Sequence, residues 1–430
     1  MLAAMRAARA PRAAARLARA FSAPAFDLFN PTPEHAALRA LVRDFAAAEV
    51  EPQAAAFNRE ERFNAALFKR AGALGLLGVS APAAHGGAGL DAAAVAIVHE
   101  ELAASDPAFT LSYLAHSLLF VNNLAVNGSE AQKARLLPRA CAGELLCGMA
   151  MSEPGAGTDV LAMATRATRD GDDYVLRGAK MWITNGAASD TELGDAFLVY
   201  ARDAPPAGAA GGGGDARATY SLFIVEKGAR GFSLGQRIKD KCGMRASNTA
   251  ELVLDDVRVG AGARVGAQGG ALLSMMRNLE IERVGLAAMS LGIARRCVEV
   301  MSAHAKARVA FGAPLNRHGQ VQRMIADAYA GLSAGRAYVY NTARGMDLAA
   351  PGGRLDSDGV KLFCAPMATR VAGDAIQTLG GYGYVGDYVV ERLWRDAKLL
   401  EIGGGTNECG GGGVARGEDG QGGAARRGAR

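Results

Sequence analysis

The run Met276-Arg-Asn-Leu-Glu-Ile-Glu-Arg-Val-Gly-Leu-Ala-Ala-Met289 decides how the chain is read. Met275, Leu279, Leu286, Met289 and Ile293 recur at steps of four, seven and three, the spacing of one face of an α-helix. Glu282 falls on the same line, three residues after Leu279 and four before Leu286. A carboxylate on a buried apolar stripe loses hydration, which disfavours its charged form and raises its pKa toward neutrality. A carboxylate tuned in that way suits abstraction of a proton from a weak carbon acid. The plainer reading is an inter-helix ion pair, for instance with Arg283, and periodicity alone leaves both open.

Working outward, long amphipathic runs from about Gly270 to Lys398 predict a helical bundle around that stripe. The chain from Pro33 to Leu146 also reads as helical, with runs at His35 to Phe45, Ala65 to Leu76 and Ala92 to Leu102. Glu100 and Glu101 stand on one side of the last of these, and turns fall at Ala84-His-Gly-Gly-Ala-Gly89 and Val126-Asn-Gly-Ser129. Between Met149 and Val265 the pattern changes to short strands: Asp173 to Leu176, Met181 to Thr184, Phe197 to Tyr200, Tyr220 to Val225 and Ala250 to Val253. Gly, Asn and Asp lie between them, as in an antiparallel β domain. Ala204 to Gly214 is a low-complexity linker between two strands.

At 430 residues, with half of them hydrophobic, the chain is long enough for about three domains. No apolar run is read as approaching the roughly 20 residues of a membrane span. The net charge of +5 is matched by Arg6, Arg9, Arg12, Arg16 and Arg19, in a segment without acids before Asp27. The remainder is near neutral, which gives no electrostatic case for nucleic acid. The Ala-rich, Arg-spaced segment 1–24 has the pattern of a mitochondrial import presequence, although a basic disordered tail would look similar. Cys141, Cys147, Cys242, Cys297, Cys364 and Cys409 form no CxxC and no metal-ligand spacing with His, so no metal site is expected.

Six stretches in order resemble the acyl-CoA dehydrogenase family of flavoenzymes. They are Met149-Ala-Met-Ser-Glu-Pro-Gly-Ala-Gly-Thr-Asp159, Lys180-Met-Trp-Ile-Thr-Asn-Gly186, Gly243-Met-Arg-Ala-Ser-Asn-Thr249 and Arg308-Val-Ala-Phe-Gly312. The last two are Gln377-Thr-Leu-Gly-Gly-Tyr-Gly383 and Arg395-Asp-Ala-Lys-Leu-Leu-Glu-Ile-Gly-Gly-Gly-Thr-Asn-Glu408. The resemblance spans about Phe26 to Glu408. It implies an α+β fold, mainly α, in agreement with the pattern above. The parts are an N-terminal α domain (25–147), a middle β domain (148–266) and a C-terminal four-helix bundle (267–408). Residues 409–430, Arg/Gly-rich where the family continues with a basic helix, are expected to be an aberrant, disordered tail.

The resemblance also implies FAD, although no GxGxxG follows a strand. Met149, Ala150, Met151, Ser152, Gly157 and Thr158 would line the flavin on one side, and Trp182, Ile183 and Thr184 on the other; Trp182 could equally be a packed strand residue. A neighbouring subunit would complete the site with Arg308, Phe311, Gln377, Leu379, Gly380 and Gly381, implying a homotetramer. Thr406 and Glu408 would close it. Gly319 stands where relatives carry a glutamine that touches FAD, and Gln320 or Gln322 would have to serve.

Many members carry their base in a Tyr-Glu-Gly-Thr stretch near the C-terminus. Here that stretch is Ile402-Gly-Gly-Gly-Thr406, with no carboxylate. The isovaleryl-CoA and long-chain branches place the base instead on the helix matching Leu279 to Arg283, and Glu282 fits that position. Leu111-Ser-Tyr-Leu-Ala-His-Ser117 is similar to the isovaleryl-CoA branch as well. Glu280 and Arg283 match positions that hold CoA, or else form a solvated helix face. Thr158, Gly403, Gly404 and Gly405 would border the substrate, with the Gly404 N–H on the thioester carbonyl. The implied activity is α,β-dehydrogenation of isovaleryl-CoA in the mitochondrial matrix, with electrons passing to electron-transfer flavoprotein. Another acyl chain length, an oxidase, or a non-catalytic flavin-binding scaffold are the alternatives.

Overall fold

The computed structural model describes residues 27–204, 218–350 and 354–409. The expected presequence, the linker beyond Ala204 and the tail beyond Cys409 lie outside the described residues. The chain opens with α1 (Pro33–Phe45), α2 (Glu51–Arg59), α3 (Ala65–Ala73), α4 (Ala92–Ala103), α5 (Pro107–Leu114), α6 (Asn123–Asn127) and α7 (Glu130–Cys141). Side chains set many of these starts. Thr32, Asn64, Asp91, Asp106 and Ser129 each accept a hydrogen bond from a backbone N–H two or three residues on, satisfying donors that the first helical turn leaves free.

Strands β1 (Cys147–Ala150), β2 (Arg166–Asp170), β3 (Asp173–Thr184), β4 (Ala196–Ala204), β5 (Tyr220–Glu226), β6 (Phe232–Ile238), β7 (Thr249–Val259) and β8 (Arg264–Val265) form one sheet, ordered β6-β7-β3-β2-β4-β5-β8. The expected antiparallel domain is in fact mixed: β2 and β1 both run parallel to β4, while the remaining pairs of this sheet are antiparallel. The reason is topological. One edge of β4 is taken by β5, so β1 and β2 share the other edge in succession, at Ala196 to Val199 and at Arg202 to Ala204. The two strands read between Asp173 and Thr184 are one, β3, whose register against β7 shifts after Leu176 and after Lys180.

The bundle consists of α8 (Ala271–Ala307), α9 (Gly319–Gly345), α10 (Arg354–Leu379) and α11 (Val389–Leu400), with a short hairpin of β9 (Val309–Ala310) and β10 (Ala313–Pro314) after α8. Helix α8 packs on α9, α10, α11 and α4, so it is the element that both helical domains share. Met275, Leu286, Met289 and Ile293 of its stripe are buried. Glu100 and Glu101, read only as acids on one side of α4, are buried and anchor the N-terminal helices to the bundle. Arg39 and Arg295 reach Glu101 at 2.5 and 2.7 Å, and Arg336 and the Tyr340 hydroxyl reach Glu100 at 2.8 and 2.5 Å.

One expectation about apolar runs needs correcting. Pro107–Asn127 is 21 residues long and apolar enough to pass as a membrane span by length and composition. Of its most apolar window, 89% is buried inside the fold, so it is a core helix whose apolarity is used against other protein. Its middle widens into a π-helical stretch, Ala115–Asn122, and Leu114 and Leu118 lean on α8 at Gly285. A Cβ there would lie 3.1 Å from both leucines, so the glycine permits the close approach.

Candidate active site

Glu282 sits midway along the first half of α8, where the stripe meets the turn that follows α11. It is partly open to the outside by surface, yet its carboxyl is closely surrounded by protein. That loss of hydration pushes its pKa up from 4.5 to about 7, against the opposing pull of Arg283 and Lys361. Gly404 faces it directly. A Cβ on Gly404 would stand 3.6 Å from the Glu282 carboxyl carbon and 2.9 Å from Leu286 Cδ1, and the residue has φ +65°. The turn therefore has no room for a side chain here while Glu282 and Leu286 occupy the space. Among the described residues, the Gly404 N–H has no hydrogen-bond partner, whereas that of Gly403 is taken by the Leu399 carbonyl at 2.8 Å.

Arg283 does not pair with Glu282, nor does it face outward. Its Nη1 donates to Asp358 Oδ1 at 2.6 Å and its Nε to the Gly404 carbonyl at 3.0 Å, with both ionic partners buried. The alternative of a solvated helix face is thus excluded for Arg283, whose guanidinium has an inward role. The buried Asp358 carboxylate on α10 draws the guanidinium away from the surface. Glu280 is buried too, within electrostatic reach of Arg277.

The end of β1 abuts α8 one turn before Glu282, where Asn278 Nδ2 donates to Met149 Sδ at 3.2 Å, and the loop that follows leads on from there. Ala150, Met151 and Ile183 turn their side chains into the core, so from this loop and from β3 a ligand would meet backbone atoms at those three positions. Ser152 and Thr184 are half-buried, and Gly157 and Thr158 are exposed. Trp182 is 60% exposed at φ +65°, on the surface rather than packed in the β core, which settles the reading of it as a packed strand residue. The loop itself hangs on Lys180. Its ammonium, fully buried, donates to Met151 O at 3.0 Å and to Glu153 Oε1 at 2.9 Å, and Glu153 also accepts from the N–H groups of Ala164 and Thr165. Burial pulls Lys180 down to about 8; Glu153, which burial alone would raise, is held below the usual carboxylate range by Lys180 and these donors. The two residues stand in separate sequence motifs, and neither motif reveals that they pair.

A second locus lies elsewhere. Arg308, Gln377, Leu379, Gly380 and Gly381 line a cavity of about 530 Å³, together with His304 and Tyr382. Guanidinium, amide and glycine backbone are donors suited to a pyrophosphate. Arg308 caps the end of α8, 26 residues beyond Glu282, or about 39 Å at 1.5 Å per residue. One chain does not bring these residues together with Glu282. Phe311 is 98% exposed at φ +52° in the β9–β10 hairpin. Gln322 bonds the Asn316 carbonyl, while Gly319 and Gln320 are exposed at the start of α9. Thr406 is half-buried and Glu408 exposed, with Glu408 near Lys361.

Comparison with known proteins agrees with this geometry. Residues 32–144, 148–257 and 269–417 match the N-terminal, middle and C-terminal domains of acyl-CoA dehydrogenases. The chain belongs to the acyl-CoA dehydrogenase family. It is 39% identical, over 91% of its length and 92% of the relative's, to the mitochondrial isovaleryl-CoA dehydrogenase of Oryza sativa subsp. japonica. Butyryl-CoA dehydrogenase from Megasphaera elsdenii superposes with TM-score 0.82 at 31% identity, covering 90% of this chain and 98% of that one. A glutaryl-CoA dehydrogenase from Mycobacterium smegmatis, solved in complex with FADH2, gives TM-score 0.81 at 28% identity, covering 90% and 96%. The family consists of flavoproteins, and the chain is an enzyme of this class.

The elevated pKa of Glu282 has a consequence for stability. A carboxyl whose pKa rises from 4.5 unfolded to about 7 folded favours the folded state most when protonated, and that advantage is lost as pH rises through 7. Glu282→Gln removes the titration. Relative to the parent chain it should gain about 2 kcal/mol at pH 8 compared with pH 5, read from paired chemical-denaturation curves. An equal offset at both pH values would show that the carboxyl is not desolvated.

Proposed function

We propose that this chain is a mitochondrial FAD-dependent dehydrogenase of short branched acyl-CoA thioesters, isovaleryl-CoA being the best-fitting substrate, and that Glu282 is its base. The observation that carries the reading is the contact between Glu282 and Gly404: the turn that would otherwise supply a carboxylate is a glycine, and the acid of α8 fills the space in front of it. Glu282 takes the proton from C2 of the thioester, and the electron pair of that C–H bond becomes the C2=C3 double bond as hydride leaves C3. FAD, when bound, supplies the acceptor for that hydride. The free Gly404 N–H donates to the thioester carbonyl, which makes the C2 proton more acidic as charge develops on oxygen. Gly403 and Gly405 add no side chain beside the reacting carbons, and that suits a branched acyl group.

The donor sets fit FAD. Exposed Trp182, with Thr184, Ser152, Thr158 and the backbone of Met151, would hold the ring system. Arg308, Phe311, Gln377, Gly380 and Gly381, from a second copy, would hold the pyrophosphate and adenine, with Thr406 and Glu408 closing the site. The separation of the two loci along α8 and the bare Phe311 ring support a homo-oligomer. Phe311→Asp should therefore lower the assembly state in sedimentation velocity and release the yellow cofactor; an unchanged sedimentation coefficient would refute this use of the hairpin. Electron-transfer flavoprotein is the proposed electron acceptor.

An anaerobic titration of purified protein with a panel of acyl-CoA thioesters tests the reading. Isovaleryl-CoA should bleach the flavin most completely. A yellow protein that no thioester bleaches would instead support the scaffold alternative.

A further inference from the structure

The turn opposite Glu282 is held from two sides by the buried cations Arg283 and Lys361, and neither Lys361 nor Asp358, the α10 partner of Arg283, belongs to any of the six motif stretches. Asp358 and Lys361 are three residues apart on α10, on one face of the helix, and each is only 2% exposed. Asp358 takes Arg283 Nη1, which frees Arg283 Nε to hold the Gly404 carbonyl. Lys361 Nζ donates to the carbonyl of Gly405 at 2.5 Å and to that of Glu401 at 3.3 Å. Two successive carbonyls of the turn, Gly404 and Gly405, thus point at two different cations. A peptide plane carries its C=O and the next N–H in opposite directions, so holding the Gly404 and Gly405 carbonyls fixes the two peptide planes that directly follow the Gly404 N–H.

We infer that Asp358 and Lys361 are positioning residues for the proton transfer: with Arg283 they clamp the Gly404–Gly405 turn over Glu282. This rests on Glu282 being the base. The charged and titratable groups around Glu282 are few. Its own helix provides Arg283 and, two residues back and on a different face, Glu280; α10 provides Lys361 and Asp358; β4 provides the Tyr200 phenol. Glu408, after the turn, faces Lys361, and the Glu401 carboxylate is turned away to Thr369 and Lys398. Burial brings Lys361 down to about 8, so its charge and that of Glu282 overlap only in a narrow interval near neutral pH.

Opposite charges on one helix face give an experiment with opposite signs. Anaerobic stopped-flow bleaching of the FAD-loaded full chain by isovaleryl-CoA is followed from about pH 6 to pH 9, for the parent chain, Lys361→Gln, Lys361→Met, Asp358→Asn and Glu282→Gln. Lys361→Gln keeps a donor for Gly405 but loses the charge, and should move the rising limb of the rate upward by about one pH unit, an about fivefold loss at pH 7 that alkali restores. Lys361→Met should show the same shift plus an about fivefold loss that alkali does not restore, because Gly405 is released. Asp358→Asn leaves Arg283 uncompensated and should move the limb downward. Limbs that coincide with the parent, or that move in one direction for both positions, overturn the inference. A parent chain that isovaleryl-CoA does not bleach, or a Glu282→Gln that bleaches at the parent rate, overturns the underlying reading instead.

Discussion

Glu282→Gln is expected to lower the rate of anaerobic flavin bleaching by isovaleryl-CoA by roughly 10²–10⁴-fold, the contribution of a positioned general base. The substitution keeps the size and shape of a side chain packed against Leu286 and the Gly404 turn, so the turn and the stripe should survive it. Cofactor content should be unchanged, since the residues proposed to hold FAD are all left in place and glutamine keeps the shape of the side chain it replaces. A loss confined to the Michaelis constant would indicate a binding role. The effect belongs to the chemical step because Gly404 offers no second carboxylate within reach, and the surrounding Arg283 and Asp358 are engaged with each other.

Lys180→Met should be the most damaging substitution outside the base. The ammonium is fully buried, and removing it leaves the Glu153 carboxylate, itself 5% exposed, without its cation. Breaking such a pair from one side costs about 3–5 kcal/mol, because an uncompensated charge is left in a poorly solvating place. The damage should be local as well as global. Glu153 holds the N–H groups of Ala164 and Thr165, and Lys180 holds the Met151 carbonyl, so the segment that would border the flavin ring loses both ends of its support. The expected result is a lowered thermal midpoint together with release of flavin at temperatures where the rest of the chain stays folded. The double variant Lys180→Met with Glu153→Gln should recover part of the loss, since no carboxylate is then stranded. A single variant as stable as the parent would show that the pair carries no weight.

What could be read from the sequence followed from periodicity and composition. The stripe from Met275 to Ile293 obeys a helical period because most of that face of α8 is buried, and an acid on that line had to be either paired or desolvated. The helix–strand–helix order was legible for the same reason. The mixed sheet was not, because strand direction depends on which edge of β4 is free, and that is settled by β5 rather than by anything in β1 or β2. Two fragments of β3 looked like separate strands, since the register shifts after Leu176 and Lys180 interrupt the alternation. Arg283 shows the limit most clearly. Its place next to Glu282 suggested an ion pair or a CoA contact, but its direction is set by Asp358, 75 residues later on another helix. Lys361 was invisible for the same reason: a lysine three residues after an aspartate on a helix reads as an ordinary charged pair until α10 is laid against the glycine turn.

The central claim is that proton removal by Glu282 drives the reaction, and the pH dependence of bleaching by isovaleryl-CoA tests it most directly when the substrate carries deuterium at C2. The account predicts a primary isotope effect and a rate that rises with one ionisation near pH 7 in the parent chain, and a Glu282→Gln chain that is slow at every pH with no such limb. A Glu282→Gln chain that retains both the limb and the rate would contradict it.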